Sequence, residues 1–418
     1  NITKIKKKLY YEYSNFNKKI AKLITRLFYY SNFTKSKSYK FRLKRHLNWH
    51  ILYNKNIFFL KRYFHFLRVL ISKKGLLHLF LLPIASMRIF RFYFYELILK
   101  YNKIPQNINK FLKKNKNHKI IIIVASTGID FFTLLLDKIK KEYKNTKDII
   151  MIDNWDNISS KGGFWHKPNA LITWGTQSSN DAKKIFNIKS SNLYEFGTPS
   201  YKNYFINRYK KEKRLYDFKY ILFSGPALPF DDLNALKVID DILKNNHLFK
   251  NLKLIYRPHP MAQVRNSKFN FYNEKFNNIF LDNDSKNYYL KKKTQTFKTP
   301  LNYFPSLIKN SEFVIAPLTT LLIESLIFYK KVLVLLHNDD FHYETPRRVY
   351  DNMEHLKVLR NNSFLNYSYD FQDLKQVLVK TYKKRKSVNK KKIDLFLDKV
   401  IKNPKNFDKN ILKLVNKL

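Results

Sequence analysis

The chain contains no cysteine, only seven glycines and four methionines in 418 residues, and 31 Asp and Glu against 81 Lys and Arg. The absence of cysteine excludes a disulfide scaffold, a thiolate metal site and a cysteine nucleophile. It leaves the compartment open, because a reduced cytosol and a cysteine-free exported protein look alike. No run approaches the roughly 18 apolar residues needed to cross a bilayer. The nearest is Gly75–Met87 (GLLHLFLLPIASM), which is short and holds His78 and Pro83, so no transmembrane helix is predicted. Familiar motifs are missing too. There is no Gly-x-x-x-x-Gly-Lys-Ser/Thr loop, no Gly-x-Gly-x-x-Gly, no Gly-x-Ser-x-Gly elbow and no His-x-x-x-His pair with a helical Glu, so P-loop, dinucleotide, hydrolase and structural-zinc sites are not expected.

What is present is apolar and basic. Hydrophobic residues make up 44% and aromatics 17%, enough for large packed cores and too much for general disorder. The length suits two or three domains at roughly 100–200 residues each. The net charge of +50 points to anionic partners: nucleic acid, an anionic membrane leaflet or phosphate-bearing substrates. Abundant Lys, Asn, Ile, Tyr and Phe with scarce Gly also fits the codon bias of an AT-rich genome, although that bias does not account for so few acids. The excess is steepest before residue 75, with about 20 Lys and Arg against the single acid Glu12. Within it, Ile51–Ile71 has bulky apolar residues at helical spacing with Lys61, Arg62 and Arg68 between them. It reads as a basic amphipathic helix that lies on an anionic bilayer or packs on the rest of the protein. The chain starts on Asn1 rather than Met, so a preceding piece is an open expectation.

From residue 76 short apolar runs alternate with helical patterns. The first series of strand candidates is Lys119–Ala125, Asp148–Ile152, Ala170–Trp174 and Leu193–Gly197. After a Tyr-, Lys- and Arg-rich break at Asn203–Phe218 come Tyr220–Gly225, Leu252–Tyr256, Asn278–Leu281, Phe313–Ala316 and Val332–Leu336. Runs that are apolar throughout suit parallel strands buried on both faces. Helical patterns such as Phe131–Tyr143 and Asp231–Asn245 lie between them. The expected fold is α/β, with two Rossmann-like domains facing a cleft and a basic helical extension. The expected divisions are 1–75 for the extension, 76–207 for an acceptor domain, 208–380 for a nucleotide-donor domain, and 381–418 for one or two basic surface helices.

Chemistry-bearing residues gather where strands end. The densest group, Asp153–Gly163 (DNWDNISSKGG), follows a strand and offers Asp153, Asn154, Trp155, Asp156, Asn157, Ser159, Ser160 and Lys161 for substrate. The plainer account is an Asn/Asp/Ser-rich turn with a helix cap. In Tyr256–Pro260 (YRPHP), Pro258 and Pro260 fix the backbone around His259, whose imidazole can donate to a phosphate oxygen while Arg257 adds a bidentate contact. A chance His in a proline turn is the alternative. After the strand at Phe313–Ala316, Thr319 and Thr320 open a helix suited to an anion, with Glu324 one turn further on to accept ribose hydroxyls. Either Thr would equally serve as an ordinary N-cap. Ser224 and Gly225 form a small-residue loop that allows close ligand approach, and Ser126–Asp130 is its counterpart in the first half. There Asp130 is a candidate general base or a cap. Asp282-Asn283-Asp284 spells an Asp-x-Asp metal pattern, which is too short to carry weight.

Together, YRPHP, the APLTT loop with Glu324, and DNWDNISSKG resemble bacterial GT-B glycosyltransferases of surface polysaccharide synthesis. The His-Pro and Ser/Thr elements are similar to those of sialyltransferases, Kdo transferases and CDP-glycerol glycerophosphotransferases. The resemblance spans roughly 76–350. It implies that His259, Thr319 and Thr320 bind the phosphates of a CMP- or CDP-linked donor and that Glu324 binds its ribose. The acidic motif supplying the sialyltransferase base has no match here, which leaves Asp130, Asp153 and Asp156 as candidates. The function expected is metal-independent transfer of a sugar from a nucleotide-activated donor to a glycan or lipid-linked glycan acceptor. No cofactor is expected, and the enzyme would be cytoplasmic, held on the inner face of the membrane by its basic extension. The rivals are a CDP-glycerol or ribitol phosphotransferase, a nucleotide-sugar epimerase on the same fold and, with no motif behind it, a nucleic-acid-binding protein.

Overall fold

A computed structural model of the chain describes residues 36–38, 41–42, 104–125, 131–161, 164, 166–210, 214–227, 229–259, 270–286, 299–338 and 342–418. The helix expected at Ile51–Ile71, the loop holding Asp130, and Pro260 lie outside them. The structure is α/β with two Rossmann-like units, each built on a parallel sheet.

The first unit takes in the described residues up to Thr198 together with Met353–His355 and Asn406–Leu418. Its sheet has the order β1 (Ile120–Ala125), β2 (Thr146–Met151), β3 (Ala170–Thr173) and β4 (Leu193–Glu195), all parallel. Helix α1 (Gln106–Lys114) precedes the sheet, and α2 (Phe131–Glu142) and α3 (Thr176–Phe186) connect strands. Ile149, Ala170 and Ile172 pack against Phe407 and Leu414 of the C-terminal helix Phe407–Lys417. The lysine-rich tail is therefore not simply a surface feature. Its apolar residues recur at helical spacing and complete this core.

The second unit runs over Pro199–Asn352 and Leu356–Lys405. After α4 (Lys202–Asn207), its strands are β5 (Lys219–Ser224), β6 (Leu252–Arg257), β7 (Ile279–Leu281), β8 (Val314–Ala316), β9 (Val332–Leu335) and β10 (Leu365–Ser368). They lie parallel in the order β10-β9-β8-β5-β6-β7. The chain enters mid-sheet, winds one way and returns to wind the other, which is the strand order of a Rossmann fold with its switch point between β5 and β8. Helix α5 (Asp232–Asn245) shows why the pattern closes. Ala235, Leu236, Ile239, Ile242 and Leu243 fall on one face and are buried against β5 and β6. The remaining helices are α6 (Tyr303–Asn310), α7 (Leu321–Ile327), α8 (Pro346–Asn352), α9 (Leu374–Lys383) and α10 (Lys390–Val400).

Candidate functional site

In the second unit the loops after β6, β5 and β8 leave neighbouring strands at their carboxyl ends. They carry His259, Gly225, and Thr319 with Thr320. Gly225 N–H donates to Arg257 O at 2.9 Å, so the two loops stay paired beyond the strands. A Cβ on Gly225 would stand 2.8 Å from Asp232 Oδ2 and 3.3 Å from the backbone nitrogen of His259. Only glycine allows the β5 and β6 loops and the start of α5 to come this close. Ser224 is buried beside it and His259 is half-buried.

Arg257 was expected to grip phosphate. Instead its guanidinium is buried, pairing with Asp282 through Nη1 and with Asp284 through Nη2 at 2.9 Å, and it lies over the Phe304 ring at 3.8 Å. Asp282 also accepts from Ser285 Oγ at 2.9 Å and from the Tyr303 hydroxyl, and Asp284 accepts from Thr299 at 2.8 Å. Two carboxylates around one guanidinium leave no positive surplus for a phosphate. The Asp-Asn-Asp segment is thereby accounted for as the partner of Arg257. Among the described residues no group of three or more His, Asp or Glu side chains is arranged to hold a metal ion.

Thr319 Oγ1 accepts from Leu321 N–H at 3.2 Å, a local cap. Helix α7 is seven residues long, and the Thr320 hydroxyl at its start hydrogen-bonds to Glu324. Glu324 is 9% exposed, and its two oxygens accept from the Tyr201 hydroxyl at 3.2 Å and the Tyr204 hydroxyl at 2.9 Å. Burial raises its pKa above the ordinary carboxylate value against the opposing pull of these hydrogen bonds. The same burial, with the Glu324 charge, pushes both tyrosines well above theirs. Tyr204 lies in the stretch that reads as a break in the sequence, and nothing local marks it as a partner of Glu324.

Asp232 is the residue that sequence reasoning missed. It is 5% exposed in the first turn of α5 and accepts from the Tyr256 hydroxyl at 2.7 Å through Oδ2, while Oδ1 has no hydrogen-bond partner. Burial pushes its pKa up to about 7, opposed by the Tyr256 bond and aided by Asp231. The available signal was its place in a strand–Gly–helix sequence, although there it reads as an ordinary first-turn acid.

In the first unit the side chains of the dense loop after β2 are largely engaged within that unit. It continues as a five-residue π-helical turn over Asn157–Lys161. Trp155 is buried, donates to Gln177 Oε1 at 3.0 Å and meets the His355 ring edge-on at 5.1 Å. Ser159 Oγ is 3.0 Å from His355 Nδ1, and Ser160 Oγ donates to Asp156 O at 2.8 Å. Both serines are fully buried, which removes them from direct contact with substrate. Asp153 and Asn154 are exposed, and Asp156 pairs with Arg42 at 3.8 Å.

No protein-family model matches the chain, and no curated protein matches it. Among solved structures it is similar to the Methanocaldococcus jannaschii UDP-GlcNAc 2-epimerase in complex with UDP-GlcNAc and UDP, at 14% identity and TM-score 0.45, over 74% of this chain and 79% of that one. A second similarity is to a putative UDP-N-acetylglucosamine 2-epimerase from Listeria monocytogenes, at 13% identity and TM-score 0.46, over 77% and 78%. A third is to the wall teichoic acid polymerase TagF soaked with CDPG, at 13% identity and TM-score 0.40, over 86% and 98%. Residue roles do not transfer at such identities.

Proposed function

We propose that this chain is a glycosyltransferase that moves a sugar from a nucleotide-activated donor to a cell-surface glycan acceptor without a metal. The observation that carries the reading is the strand order of the second unit. Ligands of open α/β sheets bind outside the carboxyl ends of the strands at the switch point, and the loops beside it hold Gly225, His259 and the Thr319–Thr320 pair. Small residues admit a phosphate close to the backbone, and an imidazole and two hydroxyls supply donors to it. Glu324, positioned by Tyr201 and Tyr204, would exchange phenolic donors for ribose hydroxyls.

In this reading the leaving nucleotide phosphate gains charge as the glycosidic bond breaks, and the donors on His259, Thr319 and Thr320 stabilise it. An acceptor hydroxyl loses its proton to a carboxylate. Asp153, which is exposed, and Asp156, which pairs with Arg42, are the described carboxylates proposed for this step. The basic stretch before residue 75 would concentrate the protein at an anionic leaflet, where lipid-linked acceptors lie. Among the described residues no helix is long and apolar enough to cross a membrane.

The test is product analysis with CMP-, CDP- and UDP-linked donors, with and without a lipid-linked glycan extract. Nucleotide release that depends on the extract, with sugar appearing in the glycan, is the expected result. Formation of an isomeric nucleotide-sugar with no acceptor present would assign the fold to epimerisation instead. Transfer of a glycerol or ribitol phosphate would assign it to phosphotransfer.

A further inference from the structure

Among the described residues of the second unit, Asp232 buries a carboxyl oxygen with no hydrogen-bond partner. Asp232 Oδ2 is engaged by the Tyr256 hydroxyl at 2.7 Å, and Oδ1 has no partner. A buried carboxylate oxygen without a donor is costly. Here the carboxyl lies against Gly225, so closely that a Cβ on that glycine would collide with Oδ2, and the backbone nitrogen of His259 borders the same point. It therefore sits at the foot of the two loops that the proposed function gives to phosphate.

We propose that Asp232 binds the anionic ligand of this loop in its neutral form, with Oδ1–H donating to a phosphate oxygen while Oδ2 keeps the Tyr256 hydroxyl. This role rests on the reading of the loop as a nucleotide-phosphate site. The bonding fits. A carboxylic acid has one oxygen that accepts and one that donates, and a phosphate oxygen is an acceptor that needs a donor. An ionised Asp232 would instead set two anions against each other in a buried place. Binding accordingly takes up one proton from solvent, carried by Asp232.

The titratable groups around this carboxyl are Asp231, the N-cap of α5; Tyr256, on β6; and His259, in the loop after β6. Asp231 and burial both disfavour the charged form, and the raised pKa of about 7 lets the proton be gained at neutral pH. An imidazole is the side chain whose ordinary pKa lies nearest neutrality, so His259 is the group the experiment must separate.

The experiment is calorimetric titration of the full 418-residue chain with UDP-GlcNAc and with CDP-glycerol, whose esterified phosphates do not titrate near pH 7. Sulfate serves as a third probe. Each titration is run in two buffers of different ionisation enthalpy, from pH 6 to pH 9. The expected result is uptake of about one proton at pH 8 and a Kd that rises about tenfold per pH unit above 7. Asp232→Asn, whose amide can still donate, should bind with the wild-type low-pH affinity, without proton uptake and with a flat pH profile. His259→Gln should weaken binding yet keep the uptake.

Binding with no proton uptake at pH 8, or with uptake that survives in Asp232→Asn, overturns the role of Asp232. Sulfate binding with Asp232-dependent uptake, when neither nucleotide binds, keeps that role and removes the nucleotide reading. Failure of all three probes to bind overturns both.

Discussion

Asp148 and Asp232 are both buried aspartates in parallel α/β units, and they are treated in opposite ways. Asp148, on β2, is surrounded by donors. His166 Nε2 and Lys140 Nζ each lie 2.7 Å from its oxygens, and the Asn169 backbone N–H donates at 3.1 Å. Burial works against its charge, but the bonds and charges of His166 and Lys140 prevail and hold its pKa below the ordinary value. Among the described residues Asp232 receives only the Tyr256 phenol, and its pKa rises to about 7. A carboxylate with a full set of partners is a structural device. One held half-satisfied against a glycine loop has its remaining valence turned to a ligand.

The pH dependence of stability should separate the two. The contribution of Asp148 is present above the unfolded carboxylate pKa and is lost as pH falls through its lower folded value. The penalty from Asp232 is absent below the unfolded value, grows as pH rises from there, and is complete above about 7. Asp148→Ala leaves His166 and Lys140 without their partner and should cost about 3 kcal/mol of unfolding free energy in urea at pH 7. A loss of only a few tenths would mean that the network is ornamental.

Gly225→Ala is expected to destabilise by about 2 kcal/mol, because the new methyl meets Asp232 Oδ2 and the His259 backbone. It should also abolish nucleotide binding, and unchanged binding would show that the loop is not the site. Asp232→Asn is expected to stabilise by about 1.5 kcal/mol at pH 8, with the gain vanishing below pH 4. Equal stability of the two proteins at both pH values would show that Oδ1 is not a liability. Ser159→Ala is the mildest, at about 1 kcal/mol, since it removes one bond to a buried histidine. Its heat denaturation midpoint should move only slightly.

The legibility of these regions in the sequence differs for physical reasons. Strands such as KYILFS and VLVL are apolar throughout and lie between helical patterns, so Lys219–Ser224 and Val332–Leu335 are readable within a residue or so. β10, Leu365–Ser368, goes unread because LNYS is short and half polar, and only its pairing with β9 makes it a strand. The loops that end the strands are visible through their prolines, glycine and threonines. The partners of those side chains are not visible. Tyr204 meets Glu324 across 120 residues, and Arg257 meets Asp282 across 25. Such pairs exist only once the sheet order brings the segments together. The Asp153–Gly163 loop shows the converse. Its density of polar residues suggests a site, yet Trp155, Ser159 and Ser160 spend their hydrogen bonds inside the unit.

The central claim is that the switch point between β5 and β8 holds the phosphates of a nucleotide-activated donor. Titration of a CMP-, CDP- and UDP-linked donor panel into the wild-type chain and into His259→Ala tests it most directly. Saturable binding of at least one donor to the wild-type chain, weakened at least about tenfold in the variant, is the expected result, since a donor to a charged phosphate is worth about 1.5–3 kcal/mol. Donor binding that is equally tight in both proteins would contradict it.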